Sequence, residues 1–175
     1  MADQNKLKET LLNTVLSLNN NPSSGKVYFK ADTELVDGFI TRSQIRQFHF
    51  TVDEPKQLGG TDTAPNPVEY VLAALGTCQE IVYKAYATVL DIPLDAVKVS
   101  VRGSLDLRGL FGVDENVKAG FDEIIYETVL VSSAEQSKLQ KLINIVEKNC
   151  PVLDTLTRAV SVKGSVKINN VAAAA

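Results

Sequence analysis

Apolar residues recur along this chain at two periods, and the switches between them mark its elements. Residues 5–18 carry Leu7, Leu11, Leu12, Val15, Leu16 and Leu18. That is close to the spacing of one helix face and predicts an amphipathic N-terminal helix. "NNNPSSG" breaks the pattern and reads as a linker. "KVYFKADTELVDGFITRSQIRQFHFTVDEP" is rich in β-formers, has a turn signal at "DG", and predicts two or three antiparallel strands before the loop "KQLGGTDTAP". Next comes "NPVEYVLAALGTCQEIVYKAYATVL", apolar around most of a helical circumference. It predicts a covered helix running to about Leu90, with Asn66 as its cap, Pro67 at its first position and Glu69 in its first turn.

Alternation returns after "DIPLDA". "VKVSVRGSLDLRGLFG" and "FDEIIYETVLVSS" read as strands on either side of the loop "VDENVKAG". Ser133 is placed to cap a helix reaching about Asn149, "CPVLDTLTRA" reads as a short helical piece, and "VSVKGSVKI" as a last strand. Helix, strands, long helix, strands, helices, strand is the order of an α+β protein, not of a doubly wound sheet. The reading divides the chain into an N-terminal helix and linker, 1–24, and one domain, 25–175.

Composition narrows the partners. A chain of 175 residues that is 45% hydrophobic can bury a core without disulfides or metals. Eighteen Lys and Arg stand against 21 Asp and Glu, for a net charge of −3 and a pI near 5.2, so there is no basic footprint for nucleic acid. No apolar run approaches the ~18 residues of a membrane span. The start lacks the charged-then-apolar pattern of a signal peptide. The expectation is a cytoplasmic protein with neither nucleic-acid nor membrane partners. One His and two well-separated Cys make a metal site improbable. "LGGTDT" lacks a strand–turn–helix phosphate pattern, so no cofactor is expected. His49, between Phe48 and Phe50, reads as a packed or surface residue.

The candidate chemistry is in the two cysteines. Cys78 shares a helix face with Val71, Ala74, Leu75, Ile81, Val82 and Ala85. A free cysteine on such a face is most often simple packing. Cys150 precedes a proline in "EKNCPVLDTL", at a helix start with Lys148 nearby, a setting that lowers a thiol pKa. The two are compatible with a reactive pair, and their spacing does not decide whether they meet. Glu69 and Cys78 are nine positions apart, about 13 Å along one helix axis. Both can serve one site only if an arginine bridges them or a second chain supplies the glutamate.

"DEPKQLGGTDTAPNPVEYVLAALGTC" resembles the central segment of the OsmC/Ohr family, the osmotically inducible and organic hydroperoxide resistance proteins, and "NCPVLDTL" resembles its second cysteine segment. The resemblance runs from about Gly25 to Asn169. It implies an intertwined homodimer of α+β chains, each with a strongly curved antiparallel sheet packed with long central helices. It also implies a thiol peroxidase of organic hydroperoxides. In that scheme Cys78 is the peroxidatic cysteine and Cys150 the resolving one, and an external dithiol, typically lipoyl-type, re-reduces the pair. The family's arginine falls to Arg46 in "SQIRQFHF", with Arg42 second, and is expected beside Cys78, lowering its pKa. The orienting glutamate falls to Glu69, one place after the position used in the hydroperoxide resistance branch, where this chain has Val68. The alternative is a non-catalytic protein of the same fold that binds a small hydrophobic ligand in the dimer cleft.

Overall fold

Asn66 fixes where the central helix begins. Its side-chain oxygen accepts from the Glu69 backbone N–H at 3.0 Å, and the Glu69 carboxylate accepts from the Asn66 backbone N–H at 2.8 Å. This closed capping box satisfies two orphan donors, and Pro67 pre-sets the first turn. The structure, a computed structural model, describes residues 4–169 and the backbone of 171 and 172. Its elements are α1 (Gln4–Asn20), β1 (Asp32–Asp37), β2 (Ile40–Ile45), β3 (Phe48–Val52), α2 (Pro67–Val89), β4 (Ala96–Leu105), α3 (Leu107–Leu110), β5 (Phe121–Val131), α4 (Gln136–Asn149), α5 (Pro151–Thr157), β6 (Lys167–Ile168) and β7 (Val171–Ala172).

Helix α2 carries the core. On one side it lies along β4, which pairs antiparallel with β5 from Ala96↔Val131 to Leu105↔Phe121. Gly76 is the point of closest approach: a Cβ there would stand 3.3 Å from Val101 Cγ2 and 3.8 Å from the Val99 carbonyl. On the other side α2 packs against α4 and α5. Tyr83, Ala87, Ile92, Leu142 and Val146 are the buried centre, flanked by Val82, Val97, Leu130 and Leu139. Helix α1 lies against α2, where Lys8 Nζ donates to Asp91 Oδ1 at 2.6 Å.

The α+β class holds, but the single strongly curved sheet does not. The strands form three separate sheets: β1–β2–β3, β4–β5 and β6–β7. Each is closed by local hairpin pairing. Helix α2 separates β3 from β4 in the chain, and its Glu80 carboxylate takes the Val99 N–H of β4 at 3.2 Å. An edge donor captured in this way is not available to another strand. The intertwined dimer was expected on the strength of that single curved sheet, which this chain does not form.

Three smaller expectations also change. The alternation read through residue 112 stops at Leu105. The Asp106 carboxylate then accepts the Arg108 N–H at 2.9 Å and opens the α3 turn. Ser133 does not cap α4; Glu135 stands at that position without a side-chain cap bond, and it is the Ser132 hydroxyl that accepts the Ala134 N–H at 3.0 Å. Most of "VSVKGSVKI" is not a strand. Residues 159–166 have no regular structure, and only Lys167–Ile168 pair, with Val171–Ala172. A β pattern without a neighbouring sheet edge has nothing to pair with.

Candidate active site

The joint between α4 and α5 is built around Cys150. It ends α4, its N–H donating to the Val146 carbonyl at 2.9 Å, and it starts α5, its carbonyl accepting from the Asp154 N–H at 2.9 Å. Its side chain is buried, while Cys78 in the middle of α2 is half-buried; both are free thiols. Burial pushes the Cys78 thiol above its ordinary value. The backbone N–H of Val152 works against that, and the Cys150 thiol adds to it. The net direction is up. Cys78 and Cys150 thus stand on elements that pack together, α2 and the α4–α5 joint.

Chemically, two free thiols can be oxidised to a disulfide, and a thiol raised by burial needs a positive group beside it to become a thiolate. The sequence reading anticipated a helix start at Cys150 but assigned its benefit to Cys150 itself. The Val152 N–H, in the first turn of α5, instead acts to lower the Cys78 thiol against its burial. The signal was the "CP" dipeptide, since a proline at the first helical position places a free donor one residue later.

The remaining predicted residues stand apart from this pair. Glu69 is exposed and its carboxylate is engaged in the capping box, nine positions from Cys78 along regular helix. Arg46 is not on a strand but at the two-residue turn between Ile45 and Phe48, with φ of 55°, a position where glycine is usual. Its guanidinium lies 5.0 Å from the centre of the Phe48 ring. Arg42 is exposed on β2, opposite Thr51. Among the described residues, the groups that shift the Cys78 thiol include no arginine, so the expected lowering is absent from the single chain. His49 is exposed on β3, and Glu80 is half-buried against β4. Among the described residues no three His, Cys, Asp or Glu side chains gather to hold a metal ion, and no helix is long and apolar enough to cross a membrane.

Comparison with known proteins supplies the relatives. Among curated proteins none matches the chain. Solved structures share its fold. An OsmC-like protein from Mycoplasma pneumoniae has a TM-score of 0.66 at 21% identity, over 75% of this chain and 89% of that one. An organic hydroperoxide resistance protein OsmC from Legionella pneumophila has 0.57 at 19%, over 75% and 91%. An organic hydroperoxide resistance protein from Elizabethkingia anophelis has 0.56 at 19%, over 74% and 89%. A family described as OsmC-like protein matches residues 60–165, a span that takes in α2, β4, β5, α4, α5 and both cysteines. The chain belongs to the OsmC-like protein family.

Proposed function

We propose that this protein is a cysteine-based peroxidase that reduces organic hydroperoxides to alcohols. What supports the reading is that both cysteines are free and stand on elements that pack together, Cys78 on α2 and Cys150 at the start of α5. The Cys78 thiolate attacks the outer peroxide oxygen. An S–O bond forms, the O–O bond breaks, and the alkoxide takes a proton and leaves as the alcohol. The resulting sulfenic acid meets the Cys150 thiol, an S–S bond forms and water leaves. An external dithiol, of lipoyl type, then reduces the disulfide by exchange and is itself oxidised.

A thiol raised by burial needs a cation before it becomes a good nucleophile at neutral pH. The reading therefore includes a homodimer, in which Arg46 or Arg42 of a second copy reaches Cys78 and Glu69 orients that arginine. Leu35, Phe39 and Phe48 of the β1–β3 sheet are 65%, 51% and 53% exposed, which gives a second copy an apolar face to cover. The family domain begins near residue 25 and α1 is an addition to it. The cytoplasm, where thiols are kept reduced, is the compartment in which the cycle runs.

The raised Cys78 thiol also favours a second reading, a non-catalytic protein that holds a small hydrophobic ligand. Turnover decides between the two. Cumene hydroperoxide should be consumed with dihydrolipoamide and much less with glutathione, and Cys78→Ser should abolish consumption. Full turnover in Cys78→Ser would end the peroxidase reading, and absence of turnover in the unsubstituted chain with any dithiol would select the second.

A further inference from the structure

Directly after Cys78, α2 carries two consecutive polar residues, Gln79 and Glu80, and both bond to the β4–β5 hairpin. Gln79 Oε1 accepts from the Thr128 hydroxyl of β5 at 3.4 Å. The Glu80 carboxylate accepts from the Val99 N–H of β4 at 3.2 Å. Val99 and Thr128 stand opposite each other in the hairpin, so the two side chains hold one rung of it by both strands. One turn earlier the same contact is made by Gly76 against Val99 and Val101.

Gln79 is 1% exposed, and among the described residues its Nε2 has no partner. A buried donor left unpaired costs stability, and a leucine there would bury a side chain of similar size without that cost. Stability therefore does not account for Gln79. What it supplies is a position. Apolar contact is non-directional and lets a helix settle on a sheet at more than one height. Hydrogen bonds to both strands of one rung are made at one height and one rotation only. A slip of one residue would move Cys78 by about 1.5 Å along the axis and turn it by about 100°.

We infer that Gln79 and Glu80 are positioning residues: by holding the Val99–Thr128 rung they fix the height and rotation of α2 at Cys78, and so its alignment with Cys150 at the α4–α5 joint. The inference rests on the reading of the two cysteines as a reactive pair. Neither residue is a reacting group. Their effect falls on the closing step, in which the S–S bond forms, the sulfenic S–O bond breaks and water leaves. Joining two sulfurs carried by separate helices depends on their geometry more than the first attack on a small, mobile peroxide does.

The test uses the full chain and reads closure of the Cys78–Cys150 disulfide. Gln79→Leu with Thr128→Val replaces both partners by apolar groups, and its urea midpoint should be unchanged or higher. Equilibrated in a glutathione redox buffer and counted by thiol mass spectrometry, its disulfide should form about tenfold less favourably than in the unsubstituted chain. Glu80→Leu should act in the same direction. Glu80→Gln, which keeps an oxygen for the Val99 N–H, should restore most of the unsubstituted value. After cumene hydroperoxide, the Cys78 sulfenic acid should persist about tenfold longer in the double variant. A disulfide that forms equally well in the double variant overturns the inference. So does a loss that tracks a fall in urea midpoint and that Glu80→Gln does not relieve. The redox-buffer arm needs no peroxide and so separates the two readings. A disulfide weakened by the variants, in a chain that cumene hydroperoxide leaves unoxidised, upholds the positioning and ends the peroxidase reading. Peroxide turnover with a disulfide indifferent to the variants does the reverse.

Discussion

The two larger sheets treat similar residues in opposite ways. Strand β5 alternates exposed and half-buried positions almost throughout, and β4 does so over its first half, because α2 lies along β4 and the α2–α4 core covers Val97 and Leu130. Strand β1, with its own β-formers, is exposed at all six positions, while β2 and β3 mix exposed and half-buried positions around the buried Ser43 and Val52. The β1–β3 sheet is tied to the body near Thr51. There the Tyr70 hydroxyl donates to the Thr51 carbonyl at 2.9 Å, and the Phe50 and Tyr70 rings stand 5.2 Å apart. A local pattern therefore specifies a strand and its pairing, while its burial depends on what the rest of the chain brings to that face.

Mutations in the two regions should differ accordingly. Leu142→Ala, at a fully buried position, should cost about 2–5 kcal/mol of stability in urea unfolding. Leu35→Ala, on the bare sheet, should cost the single chain less than about 0.5 kcal/mol. A cost for Leu35→Ala that approaches that of Leu142→Ala and grows with protein concentration would mean that a second copy covers the sheet.

The loop that joins the two regions gives a smaller effect. Buried Asp53 is held by the Thr61 hydroxyl at 2.5 Å, by the N–H groups of Glu54, Thr61 and Thr63, and by the Thr63 hydroxyl. The Thr61 hydroxyl is the largest influence holding its carboxyl below the usual range; burial opposes it and the remaining donors reinforce it. Because the folded value lies below the unfolded one, this stabilisation is fully present above about pH 3.9 and is lost as pH falls through the folded value. Asp53→Asn should lower the melting temperature at neutral pH and flatten the acid limb of the stability curve. An acid limb unchanged by Asp53→Asn would remove the assignment.

The smallest effect is on titration. In a paired chain the second copy's arginine should bring the Cys78 alkylation midpoint down. Arg46→Ala should return it above the ordinary thiol value, about 8.5, as burial dictates in one chain. A midpoint equally high in both proteins shifts the role to Arg42 or to no arginine.

Much of this was legible in the sequence. Asn66, Pro67 and Glu69 announced the start of α2, since capping chemistry is local and needs no tertiary context. The "CP" dipeptide announced α5. What the sequence did not disclose depends on distant residues. Alternation through Leu107 and Leu110 resembles a strand until Asp106 turns the chain. Arg46 reads as a strand residue until Ile45 pairs with Phe48 and leaves it in the turn. That α5 packs on α2 is set by residues far apart in the chain, which no spacing encodes. The family pattern brought the two cysteines to attention, and the fold puts them on elements that pack together.

The central claim is that Cys78 and Cys150 act as a pair, and thiol mass spectrometry after one equivalent of cumene hydroperoxide tests it most directly. The unsubstituted chain should lose both free thiols and yield one Cys78–Cys150 disulfide. Cys150→Ser should accumulate a sulfenic acid on Cys78 that dimedone traps. Recovery of both cysteines as unmodified thiols, or oxidation confined to Cys150, would contradict it.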